Sequence, residues 1–267
     1  MSSSTIQVTD SSDLSGQSTS RLVLQMARRD IATLFRTPWI IISRSLAFII
    51  QLFVLAYLIS GLVVKFPGFF PYYAVGSVVS VVASISFIIG YDIFEEAEEG
   101  LLDYLLTLPI PRREFIIGRA LGGAVRAMIY TIPMFAIVAV LENFSNPLSL
   151  IAAILDLFLL AFGVTGLSIT VAVSVRSANR FDVVLALLEL TVSRASTALY
   201  PLAFMPSYVA ALAPFSPVTF AADSTRAALS ESSLDILGLA GLLAFVAIFL
   251  GLGATFYFRR LEGGVYA

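Results

Sequence analysis

EEAEEGLLDYLLTLPIPRREFIIGRAL, residues 95–121, is the stretch on which the fold turns. It opens with four carboxylates, Glu95, Glu96, Glu98 and Glu99, and Gly100 follows them. Leu101, Leu102, Leu105 and Leu106 repeat at a spacing that puts them on one face of a short helix. Pro109 and Pro111 stop that helix, because proline lacks the N–H the next turn needs. Arg112, Arg113 and Glu114 then open a long apolar run. An amphipathic helix held between a glycine and two prolines, with apolar blocks on both sides, belongs to a loop outside a membrane. Two readings fit it: a surface that docks a protein, and an ordinary loop resting among lipid headgroups.

Working outward, six apolar blocks appear, at about 40–64, 72–91, 116–141, 149–175, 183–203 and 235–258. At about 1.5 Å per residue each is long enough for a hydrocarbon core of roughly 30 Å. Composition agrees: 58% of the 267 residues are apolar and 13% are charged, where a soluble domain is nearer about half and about a quarter. Mean hydropathy is +0.94. The expected fold class is an all-α membrane protein with six transmembrane helices. Arg21, Arg28, Arg29, Arg36, Arg112, Arg113, Arg119, Arg176, Arg180, Arg259 and Arg260 fall before the first block, in the even-numbered loops or after the last block. Only Lys65 and Arg226 fall in odd loops. Positive charge is retained on the cytoplasmic side, so both termini are expected there, in a multi-pass protein of the plasma membrane.

The flanks carry their own signals. Residues 1–20 are polar and rich in Ser and Thr, a composition that predicts a disordered tail. Residues 21–39 predict a basic amphipathic helix lying in the interface, with Ser20 as its cap, Arg28, Arg29 and Arg36 on it, and Pro38 at its join to the first span. Residues 21–260 form one transmembrane domain, and 261–267 form a short cytoplasmic tail. The stretch 204–234 carries Pro206, Pro214 and Pro217 and an apolar part too short to span. It fits a re-entrant helix pair and an ordered external loop equally.

Much chemistry is excluded. The chain has no His and no Cys, which removes the usual catalytic triads and dyads and His- or Cys-ligated metals. Its only lysine, Lys65, is followed by Phe66, whereas an ATP-binding P-loop needs Lys followed by Ser or Thr. A net charge of −2 gives no footing for nucleic acid. No catalytic, cofactor or metal residues are expected.

Ionisable groups inside spans are costly and often functional. Arg44 and Arg126 stand within reach of the cytoplasmic interface and are expected to snorkel. Asp156 in the fourth span is expected to be a buried hydrogen-bonding partner of another helix. In the fifth block, Asp182, Glu189, Ser193, Ser196 and Tyr200 fall within a sector roughly 60° wide at about 100° per residue. A polar stripe faces protein or water, so it lines either a dimer seam or a translocation path. Gly76, Ser80 and Ala83 in the second span, and Gly163 and Gly166 in the fourth, predict close helix packing.

The run Glu96-Ala97-Glu98-Glu99-Gly100-Leu101-Leu102-Asp103-Tyr104-Leu105-Leu106-Thr107-Leu108-Pro109 resembles the signature loop of ABC-2 type transporter permeases. That family typically shows Glu, a basic residue, Glu, any residue, Gly-Thr-Leu-Glu, then two Leu and a Pro. Ala97 and Leu101 depart from it, while Arg113 and Gly118 fall where it favours a polar residue and Gly. Leu34-Phe35-Arg36-Thr37-Pro38 resembles the end of the family's interfacial helix. Pro206, Pro214 to Thr219, Asp223 and Arg226 resemble its external segment before the last span.

The resemblance implies a dimer, homomeric or heteromeric, that docks separate ATP-binding cassette ATPase subunits holding ATP and Mg. It implies export of a lipid, glycan, drug or peptide. It makes Glu95, Glu96, Glu98, Glu99, Gly100, Leu102, Leu105, Leu106, Pro109 and Arg113 an ATPase-coupling loop. The interfacial helix, with Arg28, Arg29, Arg36 and Pro38, becomes a second coupling element. Two other functions stay open. One is a proton-coupled secondary transporter using Asp156 and Glu189, although no inverted repeat is evident. The other is a membrane assembly protein without transport.

Overall fold

An open chain can cross hydrocarbon only by satisfying its backbone within helices, and the apolar blocks do so. The computed structural model describes residues 19–36, 38–62, 68–100, 112–142, 146–175 and 177–263. The helices are α1 (Thr19–Phe35), α2 (Pro38–Leu62), α3 (Phe69–Glu98), α4 (Arg112–Leu141), α5 (Pro147–Ser174), α6 (Ala178–Glu189), α7 (Ser207–Leu212), α8 (Pro217–Glu231) and α9 (Ile236–Gly263). No strand occurs among the described residues. Five helices are long and apolar enough to cross a membrane: α2 over Pro38–Ile59, α3, α4 over Glu114–Leu141, α5, and α9 over Ile236–Phe256. The chain is an all-helical membrane protein.

The fifth predicted block behaves differently. A span over 183–203 was the expectation, but α6 passes into a π turn at Leu190–Arg194 and the helix ends there. With 12 residues in α6 and 5 in the turn, it rises only about 25 Å, short of the roughly 30 Å core. Residues 195–201 are not helical. The stretch after them forms α7, a 3₁₀ turn at Ala213–Phe215, and α8.

Local chemistry sets the other boundaries. Pro38 and Pro147 start α2 and α5, where the missing N–H costs nothing. The Asn146 side chain caps α5 by accepting from Leu148 N at 3.0 Å, and Ser216 caps α8 by accepting from Val218 N at 3.2 Å. Gly100, at φ +73°, follows the end of α3 in the left-handed conformation that glycine adopts without strain. Helix α1 begins at Thr19, so Ser20 lies inside it rather than capping it.

Helix α3 is the centre. Across a membrane-length window 89% of its residues are buried, against 17% in α2 and in α9. α3 packs on α4 and α5, α9 packs along α5, and α2 packs on α4 and α3. Helix α1 packs on α4, with Ala27 and Leu34 buried and Leu24, Arg28, Phe35 and Arg36 facing outward. Helix α4 continues through Pro133 without a break.

Small residues do mark the α5–α9 seam. A Cβ at Gly163 would stand 2.5 Å from Phe245 Cδ1, and one at Gly166 would stand 3.0 Å from Leu250 Cδ2. Gly163→Val is therefore expected to lower stability by about 1–3 kcal/mol through overpacking, seen as a lower thermal midpoint of the full chain in detergent. Gly251→Val, with nothing within 4 Å of its Cβ, is the matched control and is expected to change little.

Candidate functional site

Two regions gather the polar groups of this apolar chain. The first is where α3 ends and α4 begins. Arg119 of α4 donates from Nη2 to Glu96 Oε2 of α3 at 2.9 Å, with side chains 4% and 20% exposed. One to two turns further into the membrane, Arg126 pairs with Asp92. These pairs clamp the two helix ends together, so the connection between them leaves from a fixed base. Glu95, Glu98 and Glu99 stay exposed beside it. Carboxylates at a helix C-terminus face the negative end of the helix dipole, at a cost of about 0.3–1 kcal/mol each. Leu102, Leu105, Leu106 and Pro109 lie outside the described residues. Arg113 stands in the first turn of α4 and Arg29 within α1, while Arg28, Arg36 and Pro38 are exposed on the same end of the bundle.

The second region surrounds the broken helix. Backbone groups freed at a break inside hydrocarbon need partners, and here they find them. Val192 O accepts from Ser216 Oγ at 2.5 Å, and Ser193 O accepts from Ser196 Oγ at 2.7 Å. Thr197 N donates to Thr219 Oγ1 at 3.1 Å, and Thr197 Oγ1 donates to Asp223 Oδ1 at 2.9 Å. Tyr72 Oη donates to Thr197 O at 2.6 Å.

Arg226 joins these groups. Its Nη2 donates to Ala198 O at 2.5 Å, to Thr197 O at 3.1 Å and to Tyr72 O at 3.3 Å. Its Nη1 meets Asp223 Oδ1 at 3.0 Å, and the guanidinium lies 3.6 Å from the centre of the Tyr72 ring. Burial pulls the Arg226 pKa below the ordinary arginine value, opposed by Tyr72 and Asp223. Gly76 completes the joint, because a Cβ there would overlap the Ala198 carbonyl. The close approach expected between spans at Gly76, Ser80 and Ala83 is, at Gly76, an approach to this non-helical strand of chain.

The predicted polar stripe divides accordingly. Asp182 is exposed on α6. Glu189 accepts from Ser84 Oγ of α3 at 2.8 Å. Ser193 is buried in the π turn. Ser196 and Tyr200 lie beyond the helix end, so the five residues do not share one helix face. Tyr200 Oη instead folds back to donate to Arg194 O at 2.8 Å.

Between α2, α3 and residues 194–204 lie two adjoining cavities. One, about 190 Å³, is lined in part by Gln51, Ser77, Ser80, Ser84 and Arg194. The other, about 450 Å³, is lined by apolar groups including Ile59, Phe69, Pro201 and Phe204. Leu55, Tyr73, Arg194 and Leu199 border both. The sequence signalled Ser80 only as part of a small-residue pattern, and it carried no sign that Ser77, Ser84 and Arg194 join it.

Asp156 is buried at 3% exposure and accepts from Ser224 Oγ of α8 at 2.6 Å, a partner on another helix as expected. Arg44 lies 5.5 Å from the Tyr130 ring centre.

A comparison with curated proteins finds no match. A family model described as ABC-2 type transporter matches residues 21–230, from the second residue after the start of α1 to the last turn of α8. With that match over most of an all-helical, membrane-length bundle, the chain belongs to the ABC-2 type transporter family.

Proposed function

We propose that this chain is the non-catalytic membrane subunit of an ATP-driven exporter, powered by a separate ATP-binding cassette ATPase. The family match over residues 21–230 carries this reading. The exposed carboxylates Glu95, Glu98 and Glu99, set against the helix dipole and anchored by the Glu96–Arg119 pair, supply a footing for a basic partner surface. Together with residues 101–111 and the outer face of α1 they form the docking face, on the cytoplasmic side with both termini. ATP and Mg belong to the partner, since the only lysine here is Lys65 and no P-loop is present. Two permease subunits, identical or not, pair in the plasma membrane around a path for a lipid, glycan, drug or peptide.

Co-purification tests this. The full chain is expected to retain an ATP-binding cassette ATPase on purification from its native membrane, and Glu98→Lys is expected to reduce recovery about tenfold, on the order of 1.4 kcal/mol. Deleting residues 98–108 is expected to abolish recovery while the chain still inserts in membranes. Cargo transport by the purified chain with no ATPase present would overturn the reading.

A further inference from the structure

The polar cavity sits where a membrane protein can least accommodate unused polar groups. Gln51 and Ser84 stand near the middle of α2 and α3, helices long enough to span the bilayer. Polar groups at that depth mark a pathway or a ligand where they face away from lipid, and Gln51, exposed on α2, and the half-buried Ser84 both line the cleft. The hydroxyls there are not equivalent. Ser77 Oγ donates to Ala74 O at 2.8 Å, and Ser84 Oγ is committed to Glu189. Ser80 is one of the residues that line the cavity, is only 7% exposed, and its buried Oγ has no hydrogen-bond partner. A buried hydroxyl left without a partner costs about 1–3 kcal/mol, so a group that fills the cavity gains by meeting it.

The charge balance names the sign of that group. Arg194 borders both cavities and has no ion-pair partner among the described residues. The Gln51 amide and the Ser80 hydroxyl add two further donors. Glu189 stands nearby, yet it faces Ser84 and does not line either cavity. The lining thus offers donors and one cation but no carboxylate, which is the complement of an anion.

The neighbouring cavity supplies the other half. Its volume of about 450 Å³ falls within the roughly 300–1,000 Å³ of ligand sites. Its walls are mostly apolar and include Ile59 of α2 and Phe69 of α3. A headgroup in the polar cavity and a hydrocarbon chain in the apolar one would meet at Arg194.

We propose that the cleft between α2, α3 and residues 194–204 binds an amphiphile with an anionic headgroup, the headgroup held by Arg194, Ser80 and Gln51. As a cargo site this deepens the exporter reading and rests on it. As a binding site it does not, because the assay below contains no ATPase. A null result there leaves the co-purification standing, and a failed co-purification leaves the site standing.

The test is native mass spectrometry of the purified full chain in dodecyl maltoside, titrated with palmitoyl-oleoyl phosphatidylglycerol or with phosphatidylcholine of the same chains. Phosphatidylglycerol is expected to bind about tenfold more tightly. Arg194→Gln is expected to bring it down to the phosphatidylcholine level, Arg194→Lys to keep most of the preference, and Ser80→Ala to weaken it severalfold. Arg180→Gln, an exposed arginine at the start of α6, is expected to leave the preference intact. Equal binding of the two lipids, or equal losses in Arg194→Gln and Arg180→Gln, would overturn the proposal. So would competition by inorganic phosphate at the same concentration as the lipid, which would make this a site for a soluble anion. A Leu199→Cys chain that cross-links to a second copy and excludes lipid would show the cleft to be a dimer seam and would also overturn it.

Discussion

Arg226→Leu is expected to be among the most destabilising single substitutions in this chain, at about 3 kcal/mol or more. The guanidinium is mostly buried, with 13% of its side chain exposed. It does more than pair with Asp223, because Nη2 caps the Ala198 carbonyl and supports those of Thr197 and Tyr72. Leucine removes every donor at once, and each carbonyl left in an apolar setting costs about 1–3 kcal/mol. Stacking on Tyr72 is lost as well. The measurements are the thermal midpoint in detergent and hydrogen exchange of the amides over residues 195–201, which is expected to quicken. Asp223→Asn is the discriminating variant. Asp223 is about half exposed, at 49% of its side chain, so losing its charge is expected to cost less than about 1 kcal/mol. Equal losses from the two substitutions would mean that the ion pair, and not the capping of carbonyls, holds the break.

Gly76→Val is expected to be comparably severe. At Gly163 and Gly166 the atoms nearest an added Cβ are side chains that can shift, those of Phe245 and Leu250. At Gly76 the nearest atom is the Ala198 carbonyl oxygen, and Arg226 Nη2 follows at 2.6 Å. Backbone pinned by four hydrogen-bonding side chains has nowhere to go, so the loss is expected at or beyond the upper end of the about 1–3 kcal/mol usual for overpacking. Because Leu199 borders both cavities, the displaced segment is also expected to lower phosphatidylglycerol binding. Gly163→Val, at the remote α5–α9 seam, is expected to lower the thermal midpoint without that effect. Retained binding in a folded Gly76→Val chain would contradict the coupling of the break to the cleft.

The polar stripe shows why the sequence stopped short of this site. Taken as ideal helix, residues 182–200 place Asp182, Glu189, Ser193, Ser196 and Tyr200 on one face. Nothing in the run from Leu190 to Tyr200 announces a break, since it holds no proline and no glycine. The break exists because hydrogen-bond partners from elsewhere offset its cost: Tyr72 from α3, Ser216 and Arg226 donate to its carbonyls, and Thr219 Oγ1 accepts from its Thr197 N–H. Such partners are invisible to any local pattern. The same holds for Arg126, expected to snorkel and found paired with Asp92. Pro38 marked the join to the first span, because proline acts on the backbone next to it, whereas Ser20, expected as a cap, lies inside α1.

Amino-acid order alone determined that this is an all-helical membrane protein, that its only lysine is not in a P-loop, and that a carboxylate-led loop joins its second and third apolar blocks. Those properties follow from composition and from periodicity over one helix length, and each is settled within the segment that shows it. Tertiary structure alone decided where the fifth apolar block stops being a helix, which of the serines lining the cleft is left without a partner, and which arginine stands at the junction of two cavities. Those outcomes depend on hydrogen-bond donors and close backbone approaches between residues up to 154 positions apart, and a chain acquires them only when its helices have packed.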